Sequence, residues 1–336
     1  MSDLRSDTPS VAARTNMVAT GQPAIAVHFL RDVAVFVLVE EAVLLVRPGA
    51  EPERISLHAG GILSSAGDGS RIVTGGDDGK VVQLDASGAT QTIASDTAGK
   101  WIDHVALGPD GAVAWSAGKT AYVKARKGDA RVLDLPSTAG GLCFAPKGFR
   151  LAIAHYGGAT FWFPNVQAAP EVLEWKGSHL GVTVSPDGRF LVTTMQEPML
   201  HGWRLADGKH MRMSGYASRV RSYAWTADGD YLATGGSDQL ILWPFSGKDG
   251  PMGKQPKLLA PHGRKVAIVA CHPRQPVVAA GYEDGMILVV RLEDGAEVLA
   301  HAADLDTPVT ALAWSADGNQ LAFACDDRVA GIVDLK

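Results

Sequence analysis

The sequence predicts an all-β fold built by repetition of one four-stranded unit. A short phrase recurs along the chain, in which an apolar run is followed by a Pro/Ala-Asp-Gly turn and then by an alternating run. Glycine is abundant, with 38 of 336 residues, against a usual share of about 7%. This excess indicates many tight turns. The apolar spacing of three and four residues that helical repeats require is absent.

The repeated phrase has a drifting period. Its clearest copies begin at Val182, Tyr223 and Ala311. When the central turn residue of each copy is taken as the origin, successive copies lie 36 to 46 residues apart. Because Asp-Gly between two apolar runs favours a hairpin turn, this spacing fits one four-stranded antiparallel unit per copy. The eight turn residues are Asp32, Asp68, Asp110, Lys147, Asp187, Asp228, Arg274 and Asp317.

The copies resemble the WD-repeat family of β-propellers over residues 24–336, with degenerate, prokaryotic-looking repeats. In that family the third strand of each blade ends with Trp. Here Trp162, Trp203 and Trp243 stand 15 or 16 residues after their turn residues. The dipeptide Trp-Asp never occurs, and only His262 has the family's spacing for the Gly-His histidine. The resemblance implies a propeller of four-stranded antiparallel blades in which no repeat holds the complete Asp-His-Ser/Thr-Trp set.

The repeat count favours eight blades, with seven as the alternative, because the first copy around Asp32 lacks a glycine beside it. The last copy ends at Lys336 without an outer strand of its own. An unpaired sheet edge invites aggregation. We therefore expect residues 15–20 to supply the missing strand and to close the propeller. Residues 1–14 are then a flexible N-terminal segment, and residues 15–336 form a single propeller domain.

Composition and charge argue against several classes of protein. The net charge of −5 and the pI near 6.0 disfavour nucleic-acid binding. The polar start lacks the apolar core of a signal peptide, and the longest apolar stretch is too short and too charged to span a membrane. Three separated cysteines without a CxxC pair favour reduced thiols. We expect a cytoplasmic monomer that binds neither membranes nor nucleic acid.

The sequence is poor in signals of catalysis. It contains no GxSxG, no GxxxxGK[ST], no GxGxxG opening a helix and no HExxH. Most turn residues are Asp at equivalent positions, where turn geometry accounts for them. We therefore predict no catalytic residue, no metal ligand and no cofactor. The alternative is a propeller hydrolase or lyase with a divalent metal on the central axis, which metal analysis of the purified protein would reveal.

A non-catalytic scaffold that binds a protein or peptide is the favoured function. The family resemblance implies that the outer-to-first-strand loops and the second-to-third-strand turns share one top face. Residues 201–265 carry a net charge of +5 and residues 283–336 a net charge of −8, so a partner with an acidic segment and an apolar anchor suits the basic side. Trp and Arg are enriched in interface hot spots, although Trp101 could equally pack between blades. The predicted protein-binding residues are Trp101, Asp103, His155, Tyr156, His179, Met195, Arg219, Arg221, Lys265, Tyr282 and Glu283.

Overall fold

The structure is a computed structural model that describes residues 8–303 and 306–336. It consists of β-strands with two short 3-10 helices, Ala12–Arg14 and Pro109–Gly111, within the described residues. Contacts divide the chain into two compact units. Unit 1 comprises Met1–Phe36 and Arg221–Lys336, and unit 2 comprises Val37–Val220. No helix in the described part of the chain is long and apolar enough to cross a membrane.

The strands follow one another with short connections. The first ten are β1 Thr15–Met17, β2 Ala24–Leu30, β3 Val33–Leu38, β4 Ala42–Val46, β5 Glu53–Ser56, β6 Ile62–Gly67, β7 Arg71–Gly76, β8 Lys80–Asp85, β9 Thr90–Ser95 and β10 His104–Leu107. The next ten are β11 Val113–Ala117, β12 Thr120–Lys124, β13 Arg131–Asp134, β14 Ala139–Phe144, β15 Leu151–Trp162, β16 Glu171–Val184, β17 Phe190–Met195, β18 Leu200–Arg204, β19 His210–Met213 and β20 Tyr223–Trp225. The last ten are β21 Tyr231–Thr234, β22 Leu240–Pro244, β23 Lys257–Leu259, β24 Val266–Cys271, β25 Val277–Tyr282, β26 Ile287–Arg291, β27 Glu297–His301, β28 Val309–Trp314, β29 Gln320–Cys325 and β30 Ala330–Asp334.

These strands pair into seven sheets across the described residues. Unit 2 contains the sheets β6-β7-β8-β9, β10-β11-β12-β13 and the six-stranded β14-β15-β16-β17-β18-β19. Unit 1 contains β20-β21-β22-β23, β24-β25-β26-β27 and β1-β30-β29-β28. The remaining sheet, β2-β3-β4-β5, includes the strand β3 in which the two units divide. Consecutive strands pair antiparallel, for example β10 with β11 and β24 with β25, as expected for hairpin-connected strands.

The prediction of eight separate blades is therefore wrong, because the described residues form seven sheets. The difference arises in one place, where the fourth and fifth sequence repeats share the six-stranded sheet. Its strand β16 pairs with β15 through residues 171–178 and with β17 through residues 179–184. The outer strand of one repeat thus continues directly into the first strand of the next, without the loop that separates the corresponding strands elsewhere.

The burial of the strands follows their place in each sheet. The second strands β3, β11 and β17 are buried at every position, because both faces of these strands are covered, and their sequences are accordingly near-continuous apolar runs. Outer strands such as β5 and β13 are mostly exposed. The tryptophans predicted at the ends of third strands, Trp162, Trp203 and Trp243, are buried, in agreement with the family pattern.

The repeated aspartates close turns, as the sequence predicted. Asp187, Asp228 and Asp317 each accept a hydrogen bond at 2.6 to 2.7 Å from the hydroxyl two residues earlier. Each also accepts the backbone N–H two residues later, at 2.9 to 3.1 Å. The hydroxyl of Ser315 and the N–H of Asn319 lower the pKa of Asp317 to about 2. These carboxylates therefore have a structural role in the turns.

The N-terminal segment supplies the outer strand of the last sheet. Strand β1 pairs with β30, with Asn16 opposite Ile332, and the Val18 N–H donates to the Ala330 carbonyl at 2.9 Å. Residues 9–11 also bond to Leu299 of β27. The predicted pairing of residues 15–20 with the last repeat is present at residues 15–18, while closure of a ring by that pairing stays a prediction. Residues 1–7 of the predicted flexible segment lie outside the described residues.

Deletion of residues 1–21 is expected to lower the melting temperature, because β30 would lose its only outer neighbour within the described residues. The single change Val18→Pro should lower the free energy of unfolding by about 1–3 kcal/mol, since it removes one ladder hydrogen bond and a buried valine side chain. Thermal and urea unfolding followed by circular dichroism measure both effects. Unchanged unfolding of both variants would show that β1 does not stabilise the sheet.

Candidate functional site

Several of the predicted contact residues in unit 2 are accessible. Trp101 and Tyr156 are 61% and 59% exposed. Asp103 is half-buried, and its carboxylate accepts the Gly118 N–H at 2.8 Å, which links the segment before β10 to the turn between β11 and β12. Arg219 is half-buried, and its Nη1 donates to Oε1 of Gln196 at 3.0 Å.

Three other predicted residues of unit 2 are buried. His155 and His179 are at most 2% exposed, and so is Met195. Nε2 of His155 lies 2.8 Å from the Thr160 hydroxyl, and Nδ1 of His179 lies 2.7 Å from the Thr193 hydroxyl. The prediction that these side chains are surface contacts is therefore corrected. All three lie within strands β15, β16 and β17, beside register shifts in the ladders, and their side chains belong to the sheet packing.

The predicted residues of unit 1 also separate into two groups. Arg221 is exposed, and Nζ of Lys265 lies 3.9 Å from Oε1 of Glu283 near the surface. Tyr282 is fully buried, and its hydroxyl donates to the Ala260 carbonyl at 2.6 Å. Tyr282 is therefore corrected from a contact residue to a core residue. The role of the exposed residues in binding stays a prediction.

A cleft opens in unit 2 where β16 runs on without a loop. Elsewhere in this unit, residues 57–61, 96–103 and 135–138 connect an outer strand to the next first strand. In β16 that connection is replaced by strand residues 175–178, including Gly177 at a φ of +135°. A side chain at this φ is strained, so the backbone favours glycine here, and a Cβ would also lie 2.7 Å from Cε of Met195. A depression lies beside this segment.

This depression, which we call the β16 cleft, has a volume of about 450 Å³. Tyr156 lies opposite Ser178 in the ladder between β15 and β16. The Gln196 N–H donates to the Ser178 carbonyl at 3.0 Å, which brings the end of β17 beside the other two strands. The cleft is lined by Tyr156, Trp175, Lys176, Gly177, Ser178, Gln196 and Glu197. It therefore combines two aromatic rings with both charges and neutral polar groups.

Histidines pack against the tryptophan wall of the cleft. The indole of Trp175 stacks on His201 at 4.1 Å between ring centroids, with an interplanar angle of 17°, and contacts His210 at 4.7 Å. Nε2 of His179 lies 2.9 Å from the Trp175 carbonyl oxygen. The side chain and the backbone of Trp175 are thus held by different histidines, so its ring is positioned before any ligand arrives.

His201 is unusual within this packing. It is 0% exposed, and neither of its ring nitrogens has a hydrogen-bond partner in the described structure. Burial, and then the neighbouring His179 and His210, lower the pKa of His201 to about 3. The ring is therefore neutral at physiological pH and serves as a flat packing surface between Trp175 and Trp203.

Sequence reasoning missed part of the site. Trp175, Gln196 and Glu197 were not among the predicted residues. The spacing gives no signal for the join in β16, because Trp175 lies 12 residues before Asp187, just as Ser56 at the end of β5 lies 12 residues before Asp68. A histidine network was also missed. His58 bonds to Asp78 at 2.9 Å and to Thr74 at 2.8 Å, ten residues before its turn residue instead of twelve.

No group of three or more His, Cys, Asp or Glu side chains is arranged to hold a metal ion among the described residues. Three histidines near the cleft, His179, His201 and His210, contact one another by ring faces and edges. The properties of the site that bear on binding are its shape, its aromatic rings and its charges.

Comparisons with known proteins agree with this fold. The family "WD domain, G-beta repeat" matches residues 209–243, and the family "Anaphase-promoting complex subunit 4 WD40 domain" matches residues 269–336. The WD repeat-containing protein 1-B of Xenopus laevis is 30% identical over 82 residues. That stretch covers 24% of this chain but only 14% of the Xenopus protein. The crystal structure of the computationally designed Ika8 protein has a TM-score of 0.74 at 17% identity, covering 93% of this chain and 96% of that chain.

The sheets and these matches together define an all-β propeller fold with four-stranded antiparallel blades. The likeness to the designed protein concerns the fold alone. Residues 209–243 and 269–336 match WD-repeat family models, which supports the resemblance inferred from the repeated phrase and the tryptophan positions.

The two buried histidines give a matched test of the packing behind the cleft. His179→Phe should lower the free energy of unfolding by about 1–3 kcal/mol, because the Thr193 hydroxyl and the Trp175 carbonyl would each lose a partner. His201→Phe keeps a flat ring and removes two nitrogens that lack partners, so stability should stay equal or rise by about 1 kcal/mol. Urea unfolding measures both variants. A loss of stability in His201→Phe as large as in His179→Phe would contradict the assignment.

Acid should destabilise the wild type more than His201→Phe. The pKa of His201 falls from an ordinary 6.5 to about 3 on folding, so the unfolded chain binds the proton more readily. The stability associated with the neutral ring is then fully present above pH 6.5 and is lost as the pH falls toward about 3. Unfolding measured at several pH values in this range should give a shallower pH dependence for the variant. Parallel curves would indicate that His201 does not contribute.

Proposed function

We propose that this protein is a non-catalytic, monomeric scaffold that binds a protein or peptide through exposed residues of unit 2 centred on the β16 cleft. The observation that carries the proposal is the cleft itself, with Trp175 held in place from behind and Tyr156 exposed on the adjacent strand. Large rigid aromatic rings bury much area at little entropic cost, and for this reason they are frequent anchors in interfaces. Trp101 is a further exposed aromatic side chain of unit 2 and belongs to the proposed binding surface.

Positive charge beside the cleft supports a partner with an acidic segment. Arg219 is bonded to the neutral amide of Gln196, so its charge is not compensated there. Arg212 is exposed, and its guanidinium lies 3.6 Å from the sulfur of Met199. An acidic segment of the partner lying on these arginines would gain charge-assisted hydrogen bonds. Such contacts also speed association by electrostatic steering.

A cytoplasmic location is part of the same proposal. The three cysteines form no disulfide, and burial raises the pKa of both Cys271 and Cys325 to about 12. Thiols held in this protonated form are poor nucleophiles and resist oxidation. Reduced, inert thiols are typical of proteins that work in a reducing compartment.

The test is affinity capture from the source cell, followed by mass spectrometry and by measurement of the dissociation constant for the captured partner. Tyr156→Ala and Arg219→Ala should each weaken binding about tenfold or more, as expected for hot-spot side chains. Two exposed residues at the opposite strand ends of unit 2 serve as controls. Val166→Ala and Lys127→Ala remove comparable groups and should leave affinity within about twofold. The proposal fails if the control variants weaken binding while the cleft variants do not.

A further inference from the structure

The carboxylate of Glu197 lies over the floor of the β16 cleft. Its two oxygens are 3.7 and 4.0 Å from the position that a Cβ of Gly177 would occupy. Because Gly177 has no side chain, the space between this carboxylate and the cleft floor stays open. Glu197 forms no ion pair within the described residues, and its charge is felt by the buried His179 behind the floor. The cleft thus contains an accessible negative charge at a known position.

Two aromatic rings border the same space. Tyr156 is largely exposed and has no ring partner among the described residues, whereas Trp175 is half-buried and stacked on His201 from one side. The faces of aromatic rings carry partial negative charge and attract cations, most strongly for Trp. A carboxylate beside two such rings makes the environment electron-rich. A neutral occupant would desolvate Glu197 without compensating its charge.

We propose that the β16 cleft accepts an alkylammonium group, such as the side chain of a lysine or a methylated lysine, against Tyr156, Trp175 and Glu197. The inference rests on the proposed function in that the group would belong to a bound protein or peptide. A volume of about 450 Å³ accommodates the charged head together with its aliphatic stem. The aromatic rings contact the stem and the alkyl groups, while Glu197 neutralises the charge.

The positive charge of Lys176 disfavours a bound cation, so its removal provides a second test of the proposal. Lys176 also lines the cleft, is exposed, and has no ion-pair partner in the described part of the chain. Its ammonium group repels an incoming cation and competes with it for Glu197. Removal of this charge should therefore strengthen cation binding, whereas an anionic ligand held by Lys176 would respond in the opposite direction.

The experiment is a nuclear magnetic resonance titration of the full-length ¹⁵N-labelled protein with tetramethylammonium chloride. The indole N–H signal of Trp175 is assigned with Trp175→Phe and followed during the titration. Sodium chloride at equal concentration controls for ionic strength, tert-butanol serves as a neutral molecule of similar shape, and sodium acetate serves as the anionic probe. We expect a saturable shift of the Trp175 signal with tetramethylammonium alone.

Variants then identify which charged side chain controls the binding of tetramethylammonium. Glu197→Gln should weaken tetramethylammonium binding about fivefold or more, and Lys176→Met should strengthen it about twofold to fivefold. Glu174→Gln removes an exposed carboxylate of the same strand that does not line the cleft, and it should leave binding unchanged. An equal loss of tetramethylammonium affinity in Glu174→Gln and Glu197→Gln would show that only the general surface charge matters. This result would overturn the proposal.

Two further outcomes would also overturn it. A shift with acetate and none with tetramethylammonium would make the cleft an anion site governed by Lys176. No shift with either probe would show that the cleft holds no small charged group. Either result leaves the affinity-capture test of the proposed function intact, because that test depends on Tyr156 and Arg219 and not on the charge of Glu197.

Discussion

The main-chain ladder through β15, β16 and β17 is the constraint on which the candidate site depends. One strand, Glu171–Val184, satisfies the hydrogen-bonding groups of two neighbours by pairing with each along a different part of its length. The pairing partner changes between Ser178, which pairs with β15, and His179, which pairs with β17. At that point the chain contains bulges and a glycine at positive φ, and the cleft lies beside them.

Buried histidines make side-chain hydrogen bonds that differ from one repeat to the next. His58 bonds to Asp78 and Thr74. His179 instead joins Thr193 to the backbone of Trp175. These networks fix the ends of strands by directional hydrogen bonds, whereas apolar contacts alone would permit small shifts. Degenerate repeats can therefore hold their geometry with different partners in each blade.

Much of the fold could be predicted because it depends on local and repeated features. The turn aspartates, the third-strand tryptophans and the antiparallel class follow from short patterns that mean the same thing in every repeat. The number of sheets did not follow, because the join in β16 depends on pairing across two repeats. The exposure of single side chains was equally hard to predict. Met195 and Tyr282 stand at turn positions in sequence, yet bulges and packing bury both.

The pairing of β1 with β30 joins the first and last strands of the described chain. Contacts between residues so far apart in sequence carry a high entropic cost of loop closure before they bring any gain. Such pairings raise contact order and slow folding. During synthesis on the ribosome, β1 must wait without its partner until the final repeat has emerged. In that interval Met17 and Val18 are available to other sheet edges. Incorrect strand pairing and aggregation are therefore a risk until the last repeat has been synthesised.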